Sequence, residues 1–253
     1  MANLIRALGY SLGKVHSGLI AYLCDLHREG IHEPLDSFFG AIGVRVPAIP
    51  VPRREWNSVD LAIFDGDAGA PGILVEVKVD DHEGGASEDS YQTKRYAERW
   101  PSCDAYVFFT LGMGEYYHAP RSDSFIWVRI RSLLAALECV KTPQDIIQQW
   151  KEEVRREVGL QDAAFRADRP PLRGYRAGSR NIYFLGRLAE ELAPTLQAES
   201  IAVETTCYPY GSRPDTILGS PQEFVTSGIL RGFPGLLKSD IFGVGHGHAL
   251  CFQ

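Results

Sequence analysis

The chain has 253 residues, of which 45% are hydrophobic and 23% are charged, as in an ordinary globular protein. This length accommodates one large domain, or one domain with an elaborate C-terminal part. The net charge of −6 and the pI near 5.7 disfavour indiscriminate binding of polyanions, so any nucleic-acid contact must use a local basic strip.

The cysteine pattern and the absence of targeting signals predict the compartment. The five cysteines are scattered and never form a CxxC pair, which disfavours a disulfide framework and a zinc ribbon. The sequence shows neither the layout of a signal peptide nor an apolar run long enough to span a bilayer. We therefore expect a cytoplasmic protein with free thiols and without a membrane partner, and a homo-oligomer remains open.

The first elements in chain order are two helices and an extended segment. Apolar residues at helical spacing predict a helix over 16–29, which Gly30 ends, and a second helix over 34–42. Residues 44–53 are extended and contain three prolines. Because proline cannot donate a ladder hydrogen bond, this segment suits an edge strand or a bulged strand.

A β-hairpin is predicted next. Two aliphatic runs, 59–64 and 73–79, flank an Asp65-Gly66 turn signal and a tip rich in glycine and proline. If the strands pair symmetrically about this tip, residues 60 and 76 lie directly opposite each other. The hairpin therefore decides which charged side chains meet.

The charged residues of this hairpin predict a metal site. Glu76 and Lys78 are two residues apart and share one strand face, and the symmetric pairing places Asp60 on the same face. Like charges directly opposite each other are destabilising, and a divalent cation between the two carboxylates removes that cost.

A polar helix follows the hairpin and an acidic loop. The helix is predicted over 88–100 and places Gln92 and Tyr96 four residues apart on one face, with Lys94 and Arg95 beside them. Together with Arg99, these cations provide the local basic strip that nucleic-acid binding requires.

The remaining elements complete an α/β pattern. Strands are predicted over 104–111 and 125–130, and helices over 132–137 and 143–166. The first 111 residues thus contain a helical part, three strands, a helix and a strand, in that order. This order predicts a mixed central sheet flanked by helices.

The region after residue 168 has a different character. It begins with an arginine-containing stretch rich in proline and glycine, and a helix over 179–196 and strands over 200–207 and 215–218 are predicted. The arginines suit a phosphate backbone, and equally a solvated linker paired with acidic helices. His246 and His248 lack a third ligand at useful spacing, so we predict a turn there. We divide the chain into a core, 1–140, and a C-terminal helical and α+β extension of unknown role, 141–253.

The motifs in the first half resemble those of a known family. Asp60, Glu76-x-Lys78 and Gln92-x3-Tyr96 resemble the motifs of the PD-(D/E)XK nuclease superfamily. The His16-Ser17 pair at the start of a leucine-rich helix is similar to that of a prokaryotic branch whose members begin with a His-Ser motif. The likeness covers about residues 13–111 and implies a restriction-endonuclease-like core.

The resemblance also implies roles for individual residues. The carboxylates of Asp60 and Glu76, with the main-chain carbonyl of Val77, are expected to hold Mg²⁺ or Mn²⁺. Lys78 is expected to orient the attacking water or to help deprotonate it. The polar helix would then supply Gln92 to the catalytic group. The remaining residues would contact the substrate strand: Tyr96, Lys94, Arg95 and His16.

The chemistry of the residues agrees with this implication. Carboxylate oxygens suit Mg²⁺, which takes few protein ligands, keeps several waters and generates hydroxide near neutral pH. A lysine beside the metal stabilises charge that builds on the phosphate. We therefore expect a metal-dependent nuclease that hydrolyses phosphodiester bonds, with DNA as the first candidate substrate, in defence or in DNA processing.

Four alternatives stay open. Lys14 stands where many relatives carry a glutamate, which favours a catalytically silent nuclease fold that binds nucleic acid or acts as a scaffold or sensor, unless Glu29, Glu33 or Glu55 replaces that glutamate. The Glu76-x-Lys78 face is otherwise a solvated one, with an ion pair worth about 0–1 kcal/mol. The acidic loop over 80–89 is a solvated loop or a second metal site. A hydrolase that uses Asp60 and Glu76 as acid and base is weaker, because Lys78 would depress the pKa of the acid.

Overall fold

The computed structural model describes residues 3–10, 12–79, 83–84, 91–112, 119–166, 203–207, 214–218, 242–244 and 250–252. The chain forms two compact units, Met1–Val79 with Glu83–Val158, and Asp80–His82 with Gly159–Gln253. The first unit thus extends beyond residue 140, where the sequence analysis placed the boundary. It does so because Ile147, Trp150 and Val154 are fully buried in its core.

The first unit contains six helices and five strands within its described residues, the last helix continuing into the second unit. The helices are α1 Leu4–Leu8, α2 Gly13–Arg28, α3 Glu33–Ala41, α4 Gln92–Arg99, α5 Ile130–Cys139 and α6 Asp145–Arg166. The strands are β1 Pro50–Trp56, β2 Val59–Asp65, β3 Ile73–Lys78, β4 Ala105–Thr110 and β5 Phe125–Arg129. Most predicted elements are confirmed to within a few residues. The sequence analysis missed α1, and α4 begins later than predicted, at Gln92, with residues 88–90 lying outside the described ones.

The five strands form a mixed sheet in the order β1-β2-β3-β4-β5. The pairs β1/β2 and β2/β3 are antiparallel, whereas β3/β4 and β4/β5 are parallel. The predicted α/β class with a mixed sheet is confirmed. Strand β1 contains Pro50 and Pro52 and lies at the sheet edge, where a missing N–H donor is tolerated.

Both faces of this sheet are buried. Alternate residues such as Leu61, Ile63 and Val75 pack in a large cluster with residues of α2, α3, α5 and α6. The intervening residues, such as Ala62 and Leu74, pack in a smaller cluster with Tyr96 of α4. Because side chains alternate along a strand, Asp60, Glu76 and Lys78 belong to the face that α4 covers.

A tight turn joins β1 to β2. Asn57 and Ser58 both have positive φ, 51° and 70°, as the two central residues of a type I′ turn require. This turn connects the extended proline segment to the hairpin, and it brings the Ser58 carbonyl within hydrogen-bond distance of Tyr96 in α4.

The second unit has its own four-stranded antiparallel sheet. Its strands are β6 Val203–Cys207, β7 Pro214–Leu218, β8 Phe242–Val244 and β9 Leu250–Phe252, in the order β6-β7-β9-β8. The strands predicted over 200–207 and 215–218 are confirmed in position. The helix predicted over 179–196 and the residues His246 and His248 lie outside the described residues. No helix in the described part of the chain is long and apolar enough to cross a bilayer.

Candidate functional site

Two carboxylates meet where the β2/β3 hairpin opens. The register pairs Leu61 with Val75, and its continuation by one residue places Asp60 opposite Glu76. Beyond this point the Asp60 side chain replaces the backbone ladder, because its Oδ2 accepts a hydrogen bond from the Val77 N–H at 2.8 Å. Strand pairing therefore brings the two acidic residues together on one face.

Glu76 is a buried acid with one unsatisfied oxygen. Its side chain is 2% exposed, and its Oε1 lies 2.8 Å from the Lys78 Nζ. Its Oε2 is buried and has no hydrogen-bond partner within the described part of the chain. Burial raises the pKa of Glu76 to about 7, against the opposing charge of Lys78 and with a further increase from Asp60. Because this side chain is buried, the alternative of a solvated strand face does not apply to Glu76.

Asp60 is half-buried, and its pKa is affected by charges on two other elements. Burial raises its pKa, while the hydrogen bond from Val77 and the charge of Lys78 lower it. The charge of Glu55 raises the pKa of Asp60, and the charge of Lys14 lowers it. Residues of α2 and β1 therefore contribute to the electrostatics of the site.

The N-terminus of α2 approaches β3 at the site. A Cβ at Gly13 would lie 3.0 Å from the Val77 carbonyl oxygen, so glycine permits this approach and leaves room around that oxygen. The next residue, Lys14, accepts a hydrogen bond on its carbonyl from the Arg54 Nη2 at 3.0 Å. Lys14 therefore follows directly on the residue of α2 that approaches β3, and its charge lowers the pKa of Asp60.

Three glutamates were candidates to replace the missing helix glutamate. One of them, Glu55, carries a charge that raises the pKa of Asp60. The β1/β2 register pairs Arg54 with Leu61 and Trp56 with Val59, so Glu55 lies opposite Asp60. Its side chain is exposed and its φ is +53°, a left-handed conformation that is strained for a non-glycine residue. Glu33 instead accepts hydrogen bonds from Ser37 and Lys141, and Glu29 caps the far end of α2.

Helix α4 closes the same face with a tyrosine and a glutamine. The Tyr96 hydroxyl donates to the Ser58 carbonyl and accepts from the Gln92 Nε2 at 3.4 Å. The Gln92 Oε1 accepts from the Gly84 N–H at 3.1 Å. Burial raises the pKa of Tyr96, and the charge of Glu76 raises it further. Gln92 therefore positions the tyrosine and the preceding loop.

The three cations of α4 lie in different positions on the helix. Arg95 is exposed, and its charge lowers the pKa of the neighbouring Tyr96. Lys94 is two residues from both Gln92 and Tyr96, which places it on the opposite side of the helix. Arg99 donates to the Asn57 Oδ1 at 3.3 Å and covers the β1–β2 turn.

The sequence analysis missed the structural role of Glu83. This residue of the predicted acidic loop is 1% exposed. Its Oε1 accepts from the Thr93 N–H at 2.6 Å and from the Thr93 hydroxyl, and its Oε2 accepts from the Arg121 N–H at 3.0 Å. Glu83 thus caps the first turn of α4. The ten-residue separation differs from that of a local capping box, so no short motif announces it.

His16 is committed to the core. It is 1% exposed, its Nδ1 accepts from the Trp150 Nε1 at 3.1 Å, and its Nε2 lies 2.7 Å from the Tyr10 carbonyl. Because indole nitrogen only donates, this network places the ring proton on Nε2. The structure therefore uses His16 to hold α2 against α6 and does not bring it into the carboxylate cluster.

The donors available to a cation are few. Among the described residues, no group of three or more His, Cys, Asp or Glu side chains is arranged to hold a metal ion. The candidate donors are therefore the Asp60 and Glu76 carboxylates and the Val77 carbonyl. Comparisons with protein-family models, curated proteins and solved structures gave no match to this chain.

Proposed function

We propose that the protein is a nuclease of the PD-(D/E)XK type that uses Mg²⁺ or Mn²⁺ to hydrolyse phosphodiester bonds, with DNA as its substrate. The observation that carries the proposal is the buried Glu76 Oε2, which lacks a partner in the described residues and belongs to the acid across from Asp60. A restriction-endonuclease-like core is part of the same proposal. Two carboxylates and a lysine on one face of a mixed sheet, with a tyrosine of α4 packed on that face, support it.

The donor set fits a hard divalent cation. A buried ionised carboxylate with an oxygen that no donor contacts is costly, and that cost is removed when a cation is bound to this oxygen. Asp60, Glu76 and the Val77 carbonyl would supply three oxygen donors, and Mg²⁺ normally keeps several waters besides. When bound there, the ion would polarise a phosphoryl oxygen and lower the pKa of a coordinated water.

The other residues then have defined tasks. Lys78 is ion-paired with Glu76 at 2.8 Å and places a positive charge where negative charge builds on the phosphate. Gln92 and Tyr96 act as positioning residues, because their hydrogen bonds hold α4 against the turn at Ser58. Arg95 is an exposed cation of α4 that would contact the substrate backbone.

A second candidate function is a catalytically silent module with the same architecture. The observation that favours it is the pair of lysines, Lys14 and Lys78, whose charges both act on Asp60. Two ammonium groups balance two carboxylates and so reduce the attraction for a cation. Such a protein would bind nucleic acid without cutting it.

Cleavage assays separate the two functions. Purified protein is incubated with supercoiled, linear and single-stranded DNA in the presence of Mg²⁺ or Mn²⁺, and the rates of Asp60→Asn and Lys78→Ala are compared with that of the parent. The proposal predicts that each substitution lowers the rate by about a hundredfold or more, because Asp60→Asn removes an anionic ligand of the proposed metal and Lys78→Ala removes a positive charge beside the reacting phosphate.

One control variant removes a carboxylate and the other removes an ammonium group, each at an exposed position away from the site. Asp67→Asn removes an exposed carboxylate at the opposite end of the β2/β3 hairpin, and Lys141→Ala removes an exposed ammonium. Both variants should cut at the parental rate. Cleavage that persists undiminished in Asp60→Asn and Lys78→Ala would show that the site is wrong, and binding without cleavage in the parent would favour the silent module.

A further inference from the structure

An exposed tryptophan lies on the edge strand of the sheet. Trp127 of β5 is 36% exposed, although large aromatic side chains are otherwise mostly buried in this unit. Its Nε1 donates to the Thr110 Oγ1 at 2.7 Å, and the guanidinium carbon of Arg129 lies 5.2 Å from its ring centroid. The hydrogen bond and the cation–π contact hold the indole ring in one orientation at the surface.

The tryptophan is in register with the carboxylate site. Glu76 pairs with Phe108, and Phe108 pairs with Trp127. In the next row, Lys78 pairs with Thr110, and Thr110 pairs with Arg129. Residues paired in this way share a sheet face, so Trp127 lies two strands, or about 10 Å, from Glu76 on the same face.

The neighbouring residue provides a comparison on the other face. Ile126 is 37% exposed, nearly the same as Trp127, but the alternation along β5 directs it to the opposite face. General exposure of the edge strand thus explains both residues equally. It does not explain why the side facing the carboxylates carries an oriented indole with a guanidinium beside it.

This combination suits one class of ligand. Aromatic rings on which bases stack, supported by arginine, are characteristic of proteins that bind single-stranded nucleic acid. A paired duplex buries the faces of its bases, whereas an unpaired nucleotide presents one. The positive charge of Arg129 complements the phosphate of that nucleotide.

We propose that Trp127 and Arg129 form a base-stacking subsite that holds an unpaired nucleotide of the strand cut at Asp60 and Glu76. The subsite rests on the proposed nuclease function for the identity of the strand. Three residues paired across β3, β4 and β5 would line the path of the strand: Lys78 beside the reacting phosphate, then Thr110, then Arg129 beside this nucleotide. The substrate is then single-stranded DNA, or duplex DNA with an unpaired segment next to the cut.

Binding measurements without cleavage test the subsite. The full chain is titrated, in EDTA, into a fluorescently labelled single-stranded oligonucleotide and into the matching duplex. We expect Trp127→Ala to weaken single-strand binding by about tenfold or more and to leave duplex binding unchanged, since one stacked base is lost. Trp127→Phe should keep most of the affinity because it keeps an aromatic face.

Two controls keep the result interpretable. Ile126→Ala alters an equally exposed side chain on the opposite face and should bind as the parent does. The thermal unfolding temperature of each variant is recorded. If Trp127→Ala proves unfolded, Arg129→Ala is compared with Trp127→Phe. Arg129→Ala should then lose affinity for the single strand alone, whereas Trp127→Phe should keep most of it.

The outcomes separate this inference from the proposed function. Parental single-strand affinity in Trp127→Ala, or an equal loss for single strand and duplex, overturns the subsite even if Asp60→Asn abolishes cleavage. A selective loss in Trp127→Ala supports the subsite even if the parent does not cleave DNA. A parent that binds neither oligonucleotide overturns the subsite as well.

Discussion

At the scale of single residues, Glu76 is the most informative group in the structure. Its place opposite Asp60 follows from the symmetric register of the hairpin, so the sequence was sufficient to place the two acids together. Its burial was not predictable, because it depends on α4 packing over the charged face through Tyr96. The sequence analysis therefore located the carboxylates but not the missing partner of Oε2.

The raised pKa of Glu76 predicts how the stability of the metal-free protein depends on pH. Glu76 keeps its proton in the folded state up to about pH 7, whereas its ordinary pKa is 4.5. The folded state therefore binds more protons between these values, and the free energy of unfolding falls as the pH rises from about 4.5 to about 7. The loss from this group is at most about 3 kcal/mol.

Glu76→Gln tests this dependence. The amide keeps the shape of the acid and cannot ionise, so the variant should lose most of the decrease between pH 5 and pH 8. Urea unfolding at pH 5, 6, 7 and 8 in EDTA measures it for both proteins. A parent that is as stable at pH 8 as at pH 5 would contradict the raised pKa of the buried Glu76 carboxyl.

Lys14 and His16 illustrate the limits of motif-based assignment at this scale. The spacing of His16 matched a family motif, but its ring nitrogens contact Tyr10 and Trp150, and the second of these is 134 residues away in sequence. Lys14, by contrast, was singled out because it stands where many members of the resembled family carry a glutamate. The charge of Lys14 lowers the pKa of Asp60, so the predicted departure does fall at the site.

At the scale of elements, the order of helices and strands in the first unit could be predicted from the sequence. Helical spacing and β-branched runs identify α2, α3 and β2 to β5 because each has an apolar face of its own. The start of α4 could not be placed, because its first turn is capped from a distance by Glu83. A cap of this kind depends on the tertiary fold.

Glu83→Ala tests the anchoring of α4. The substitution leaves the buried Thr93 N–H and hydroxyl without their acceptor and frees the Arg121 N–H, so we expect the free energy of unfolding to fall by about 2 kcal/mol or more. Urea unfolding at pH 5 measures the change. Glu98→Ala, an exposed acid on the same helix, is the control and should change stability by less than about 0.5 kcal/mol.

The same variant has a consequence for the site. Gln92 and Tyr96 hold their places through α4, so a loosened helix should lower the rate of the proposed DNA cleavage while leaving Asp60 and Glu76 in their strands. A Glu83→Ala protein with the parental stability would show that the buried cap has no energetic role.

At the scale of the whole molecule, the five-stranded mixed sheet agrees with the predicted fold class, but the boundary of the first unit does not match the predicted one. The helix predicted over 143–166 was assigned to the C-terminal part, 141–253. In the structure one side of that helix buries Ile147, Trp150 and Val154 in the first unit. Which face of a long helix is buried depends on contacts with distant elements, here α2 through His16.

The charge of the molecule affects any test of the cation site. The chain carries 32 acidic residues against 26 lysines and arginines, so weak cation binding across the surface is expected. A specific site must therefore be recognised by its stoichiometry and by its loss in matched variants. The exposed carboxylate of Asp67, on the same hairpin, provides that comparison.

Calorimetric titration of the full chain with Mn²⁺ at pH 8 tests the central claim most directly. We predict a specific site that Asp60→Asn and Glu76→Gln each weaken by about tenfold or more, whereas Asp67→Asn leaves it unchanged. A parent that shows no binding beyond the weak surface background, or affinity that is undiminished in both Asp60→Asn and Glu76→Gln, would contradict the assignment of these two carboxylates as the cation site.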